Sequence, residues 1–451
     1  MVEMGVEATT TREAIKPSSP TPPHLRTFKL SFLDQFSPLM YFPFVFFYPA
    51  TGDQIPVENK IALLKDSLSK ALARFYPIAG RIKDATTIDC NDEGALYMEA
   101  RVSCSMSECI SPPKMELLES FLPCEIISKE PPEEVAQIAV KANIFSCGGI
   151  ALGMCFFHKL IDAATFTAFV KDWAAIAREN CDKEVNVDNT AATIFPPNEE
   201  FSPALASTGE LSSMAKEAQG RIQRFVFDAA ALSSLKAKAR SEQVPNPSRS
   251  GAVSGLIWKS AFKAFREASS ESQIRPSLLT FSINLRPRLK PSLPQHTVGN
   301  IFLTKTTCYD PTTEKNGEEL PHLVSLIRKT VDKVDLDYLQ KLQGKEGYKE
   351  IHKSLEEEQA MYSDSRKPII YGVASMCTMG FYEADFGWGK PIWVALGPIV
   401  KTFLKNFILQ KETSCGDGIE AWVVLDKEEM AIFESDPELL AYATVNPDVY
   451  S

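Results

Sequence analysis

The chain predicts an α/β protein built as two domains. Short apolar runs that read as strands alternate with helical patterns along all 451 residues. That length is more than one ordinary core takes up, so it fits two domains or one large domain with a pseudo-repeat. A polar, proline-bearing stretch near the middle, "FPPNEEFSPALASTGE", parts two such alternating patterns. The expected division is an N-terminal domain over residues 1–200, a crossover over 201–222 and a C-terminal domain over 223–451.

Taken in order, residues 1–25 read as a loose arm ending in "KPSSPTPP", whose prolines favour extended backbone. "HLRTFKLSFLDQ" alternates well enough to be a strand. Residues 59–75 place Ile61, Leu64, Leu68, Leu72 and Phe75 at steps of three and four, which predicts an amphipathic helix with Asn59 as its cap. Pro77 and Gly80 end it. "VAQIAVKANIF" and "GIALGMCFF", parted by Cys147-Gly148-Gly149, read as adjacent strands of a buried sheet. From 163 to 178 the bulky residues Phe166, Phe169, Trp173 and Ile176 mark a helix buried on one side, with Asp162 at the N-cap place. In the second half, "IQRFVFDAAALSSLKAKA" predicts a strand then a helix, 250–268 a helix, 278–289 a strand and 322–334 a helix. Residues 341–366 are charged on most sides and predict a solvated surface helix with a loop. "IEAWVVL" predicts a late strand.

Composition narrows the function. A hydrophobic share of 44% with 24% charged residues is that of a globular protein. The net charge of -10 argues against nucleic-acid binding, which needs a basic face. The richest apolar run, "YFPFVFFYPA", is short and interrupted by prolines, so no membrane span is expected. The N-terminus has no basic region followed by an apolar core, so no signal peptide is expected. Ten cysteines without a C-x-x-C pair suit reduced thiols in the cytosol.

Two stretches could carry chemistry. "FFHKLIDAATF" puts His158, one of five histidines, at the end of an apolar run with Asp162 four positions on. Alone this leaves two readings open, a catalytic base or a hydrogen-bonded histidine at a strand end. "FYEADFGWGKP" packs Asp385, Phe386, Gly387, Trp388 and Gly389 together, a density that means a tight turn locked by aromatics. A dinucleotide loop is excluded, because Lys390-Pro391-Ile392 follows where a third glycine and a helix start are needed. There is no G-x-S-x-G elbow, Cys155 sits in an apolar strand where ionisation is disfavoured, and no histidine or cysteine pair has metal-ligand spacing.

Together, HxxxD at 158–162 and DFGWG at 385–389 resemble the paired signatures of the plant BAHD acyl-CoA-dependent acyltransferases. "FYPIAGRI", "INLRPRL" and "VGNI" agree in order, and the phrases "IKPSSPTPPHL", "RFVFD" and "DFGWGKP" resemble the vinorine synthase-like alkaloid acetyltransferase subgroup. The resemblance implies a chloramphenicol-acetyltransferase-like fold: two pseudo-symmetric domains, each a mixed sheet flanked by helices, with the active-site channel between them and a segment near 383–405 joining the first domain. It implies His158 as general base, and Asp162 as its structural support through Arg286 or Arg288. It makes Asp385 and the rest of DFGWG architectural, and sets Ser248, Arg249 and Ser254 along the CoA channel. Arg249, Lys259 and Lys263 cluster as a candidate basic lip for the CoA phosphates, against which two lysines at i and i+4 more often mark a solvated face. Ala163 stands where most relatives have glycine, a departure that alkaloid-type members share and that suits a first helical position, whereas Met376 stands where the subgroup often has tryptophan, which implies a reshaped acceptor pocket. The implied activity is transfer of an acyl group, acetyl first, from CoA to a hydroxyl of an alkaloid or similar polycyclic alcohol in plant specialised metabolism. A terpenoid-alcohol or acylsugar acceptor, or a silent metabolite-binding relative, is the alternative. The expected partners are acyl-CoA as co-substrate and a small acceptor alcohol, with no tightly bound cofactor, no metal, no nucleic acid and no membrane, on a cytoplasmic monomer.

Overall fold

The computed structural model describes residues 11–50, 55–179, 185, 187–200, 220–269, 274–314, 317–397 and 405–449. Two large mixed sheets carry it. The first runs, edge to edge, Thr11–Ile15, Ala95–Val102, Ile138–Phe145, Ile150–Phe157, Tyr41–Tyr48 and Trp393–Leu396. Only Ala95–Val102 and Ile138–Phe145 pair in parallel. The second runs Phe302–Tyr309, Ser277–Asn284, Ile369–Ser375, Phe407–Glu412, Ile419–Asp426, Gly220–Phe227 and Thr444–Val445. Here Ile369–Ser375 is parallel to both neighbours.

The apolar run 41–48 becomes a fully buried strand because both of its faces are covered. Phe44 stacks on Phe166 of the helix Ala163–Ala177, 5.3 Å between ring centres, while Phe47 meets Phe121 and Trp393 on the other side. In the second sheet the helix Arg249–Ala268 buries Trp258, whose indole N–H donates to Ser277 Oγ at 2.7 Å.

Trp393 ties the sheets together. It stacks on Phe47 of the first sheet and on Trp422 of the second, at 5.3 and 5.9 Å. Beneath it Glu420 accepts from Arg224 at 3.2 Å and pairs with the wholly buried Lys411 at 3.1 Å. Burial pushes the Glu420 carboxyl up, but the two cations outweigh it and hold the group ionised below its ordinary range. Lys411 also donates to Tyr382 Oη and Arg224 to the Pro447 carbonyl, and the buried Glu412 adds a second carboxylate acting on Lys411.

Several expectations change. Residues 11–15, expected to be part of a loose arm, form an edge strand against Ala95–Val102. The strand from "HLRTFKLSFLDQ" stops at Lys29, and Phe32–Gln35 is a helical turn closed by a Ser31–Asp34 capping box. The helix expected from 59 begins at Val57, with Pro56 at the cap and Asn59 inside its first turn. The strand expected over 278–289 is Ser277–Asn284; Pro287 just beyond cannot donate to a ladder. The charged segment yields the helix Gly347–Tyr362, which is not solvated all round, since Ile351 and Glu358 are buried. Residues 201–219 of the expected crossover lie outside the described residues, and 220–222 already belong to a strand. No helix among the described residues is long and apolar enough to cross a membrane.

Candidate active site

His158 follows the strand Ile150–Phe157, and its own N–H continues the pairing by donating to the Met40 carbonyl at 2.8 Å. Its ring lies against Phe42, Phe156 and, from the second sheet, Phe302, with ring centres about 6 Å away. Surrounded by protein on these sides, the imidazole keeps its open edge toward two cavities that it lines together with Phe42, Ser282, Phe302 and Ala374. Burial lowers its pKa below the ordinary value, against smaller opposing effects of Asp162 and Asn300, so the neutral imidazole prevails at neutral pH.

The ring's orientation is set by Asn300. Its Oδ1 meets His158 Nδ1 at 3.0 Å, while its Nδ2 donates to the His158 carbonyl at 2.9 Å and to Asp34 Oδ1 at 3.0 Å. A carbonyl can only accept, so the amide nitrogen is fixed on that side and Oδ1 must receive a proton from the ring. Nδ1 therefore carries the hydrogen, and Nε2 keeps its lone pair. Asp34 is held by Ser31 N–H, Ser31 Oγ and the Asn300 N–H, all at or under 2.8 Å. Neither Asn300 nor Asp34 was singled out from sequence, although both lie in stretches already noticed, "VGNI" and "SFLDQ".

Asp162 caps the helix Ala163–Ala177, its Oδ1 accepting from Thr165 N–H at 2.8 Å. Arg286 grips both carboxylate oxygens at 2.6 and 3.1 Å, and Ile301 N–H adds a further bond. Burial raises the Asp162 carboxyl, but Arg286 and the backbone donors outweigh it and hold the group below the usual carboxylate range. The same guanidinium donates to the carbonyls of Thr297 and Gly299, so this pair braces the loop that delivers Asn300. Arg288, the other expected partner, instead donates to the Val334 carbonyl.

The DFGWG turn is built elsewhere. Asp385 Oδ1 accepts from the N–H of Gly387 and Gly389 at 2.8 and 3.0 Å, and both glycines take positive φ. Phe386 packs on Trp173 at 4.8 Å and stacks on Trp388, and none of the five residues lines either cavity at His158. Asp385 is not fully buried; 26% of its side chain is exposed, with Arg178 3.7 Å away.

The larger cavity, about 230 Å³, reaches from His158 to the helix Gly347–Tyr362. The smaller, about 90 Å³, passes Ala163, Ala164, Ser375, Met376 and Met379. Ser375 Oγ is 2.9 Å from Ser250 Oγ, next to Arg249, which opens with Lys390 onto a surface cleft. Of the residues expected along CoA, Arg249 sits in that cleft and donates to the carbonyls of Gly416 and Asp417. Ser248 caps its helix, and Ser254 is buried with its hydroxyl accepting from Gln410. Lys259 and Lys263 pair with Glu438 and Asp436 rather than forming a lip.

His158 thus lines both cavities, with its ring held in place by Asn300. The model of the Transferase family matches residues 4–440, and the chain belongs to that family, the BAHD acyltransferases. It is an acyltransferase of the non-aminoacyl kind. Akuammiline synthase 2 of Alstonia scholaris is 36% identical over 97% of both chains. Limonoid 7-O-acetyltransferase of Citrus sinensis is 38% identical over 96% of this chain and 97% of the relative. The crystal structure of vinorine synthase superposes with a TM-score of 0.80 at 31% identity, covering 98% and 99% of the two chains. A fungal TRI101 from F. graminearum, solved with coenzyme A and T-2 mycotoxin, shares the fold at 18% identity, with a TM-score of 0.71 over 93% and 99%.

Proposed function

We propose that the protein transfers an acetyl group from acetyl-CoA to a hydroxyl of an alkaloid or similar polycyclic alcohol, with His158 as general base. The observation that carries this is the Asn300-fixed tautomer, which leaves Nε2 free where the two cavities meet. The names of several relatives support it, being those of O-acetyltransferases acting on limonoids and on a dihydroxy-N-methylcanadine. The smaller cavity leads toward Arg249 and Lys390, the basic groups that suit CoA phosphates, so the acceptor takes the larger one.

In this mechanism Nε2 takes the proton of the acceptor hydroxyl as its oxygen attacks the thioester carbonyl. The tetrahedral intermediate collapses with cleavage of the C–S bond. The imidazolium then returns the proton to the departing CoA sulfur, leaving ester and free thiol. Asp162 and Arg286 act by holding the loop and not by touching substrate. His158→Ala is expected to cut turnover by ~10² to 10⁴ while melting temperature and acyl-CoA binding stay near wild type. A folded variant turning over within about threefold of wild type, well short of that loss, would rule out the base.

A further inference from the structure

Two carboxylates, Glu358 and Asp162, line the cavities that meet at His158, and each already has a cation. Asp162 is held by Arg286. Glu358, on the helix Gly347–Tyr362, lies 3.7 Å from Lys305 Nζ and accepts from Thr306 Oγ1 at 2.8 Å. Lys305 also donates to Tyr338 Oη and Ser354 Oγ. Both members of the pair are nearly withdrawn from water, with side chains 13% and 9% exposed, yet both face the larger cavity. The cavity thus presents a donor and an acceptor side by side with no net charge.

We infer that the larger cavity selects a neutral acceptor, and that Lys305 and Glu358 bind a second oxygen function on it, other than the hydroxyl that is acylated. This rests on the acetyl-transfer reading above and narrows its acceptor to the uncharged polycyclic alcohols, setting aside a basic alkaloid. A protonated amine entering this cavity would lose its water and meet no unpaired carboxylate, a cost that nothing in the wall returns. A carbonyl, ester or hydroxyl meets both partners it needs. The larger cavity is lined by His158 as well as by Lys305 and Glu358, so one acceptor can face the imidazole and the ion pair at once.

The test uses the full chain with acetyl-CoA and three acceptors: a neutral polyoxygenated triterpenoid alcohol, an alcohol of similar ring count bearing a tertiary amine, and a small monoterpenoid alcohol without a second oxygen. The neutral polycycle is expected to have a kcat/KM at least tenfold above that of the amine. Lys305→Met leaves Glu358 without its cation and should shift the preference toward the amine by tenfold or more. Glu358→Gln should not. The double variant, Lys305→Met with Glu358→Gln, keeps the cavity uncharged. It should raise KM for the neutral polycycle about tenfold, with the small alcohol and the acetyl-CoA KM unchanged and the melting temperature near wild type. Preference of the wild type for the amine, or variants that weaken all three acceptors alike, would overturn the inference while leaving acetyl transfer standing. Absence of transfer to any acceptor, with acetyl-CoA bound, would sink both.

Discussion

Asp162 and Asp385 belong to motifs that stand out equally in sequence, yet their surroundings give them different work. Asp162 is almost wholly enclosed and receives four hydrogen bonds, two of them from Arg286. It joins the helix after His158 to the loop that carries Asn300, so residues more than a hundred positions apart converge on one imidazole. Asp385 receives two backbone bonds from within four residues and is partly in water. The first carboxylate holds two halves of the molecule in register; the second closes a local turn whose aromatic rings do most of the packing. Salience in a motif therefore says little about energetic weight, which follows burial and the span of chain being joined.

The sharpest way to break this comparison is to remove each carboxylate. Asp162→Ala leaves Arg286 buried without its partner and should destabilise the protein by about 3–5 kcal/mol, read from denaturant unfolding. Asn300→Ala should act on the ring as well as on the fold, costing about 1–3 kcal/mol because its buried amide also serves Asp34 and the His158 carbonyl. Turnover should fall about tenfold to a hundredfold while acyl-CoA affinity holds. Its acid limb should move to lower pH, because the Asn300 bond favours the charged imidazole. An unmoved pH profile would assign Asn300 a purely structural part. Asp385→Ala should cost about 1–2 kcal/mol through two lost backbone bonds, with turnover per folded molecule preserved. A loss as large as that of Asp162→Ala would erase the distinction drawn here.

The smallest effect is that of pH on His158. Its folded pKa is lowered by burial, so kcat/KM should hold down to below the ordinary imidazole value near 6.5 and fall only under it. The sign for stability follows. Below about 6.5 the unfolded chain binds the proton first, so this residue's contribution to stability declines as pH falls through that value. Asp162, with its folded pKa depressed, contributes above the unfolded carboxylate value near 3.9 and loses that contribution in stronger acid. An acid limb above 6.5 would mean that the imidazole is wetter than its surroundings suggest.

By itself the sequence determined the α/β alternation, the strand pair on either side of Cys147-Gly148-Gly149, the helix capped by Asp162 and the two motifs that mark the family. These features are written in repeats of two or 3.6 residues and in caps that act within one turn, so a short window contains the whole signal. Only the tertiary structure decided that Arg286 and not Arg288 meets Asp162, and that Asn300 with Asp34 behind it orients His158. It also turned one face of the charged helix Gly347–Tyr362 into a cavity wall. Each of these depends on partners far apart along the chain, where no local period links them. Loop closure and the packing of two sheets, rather than any propensity of the residues themselves, bring them within hydrogen-bonding distance.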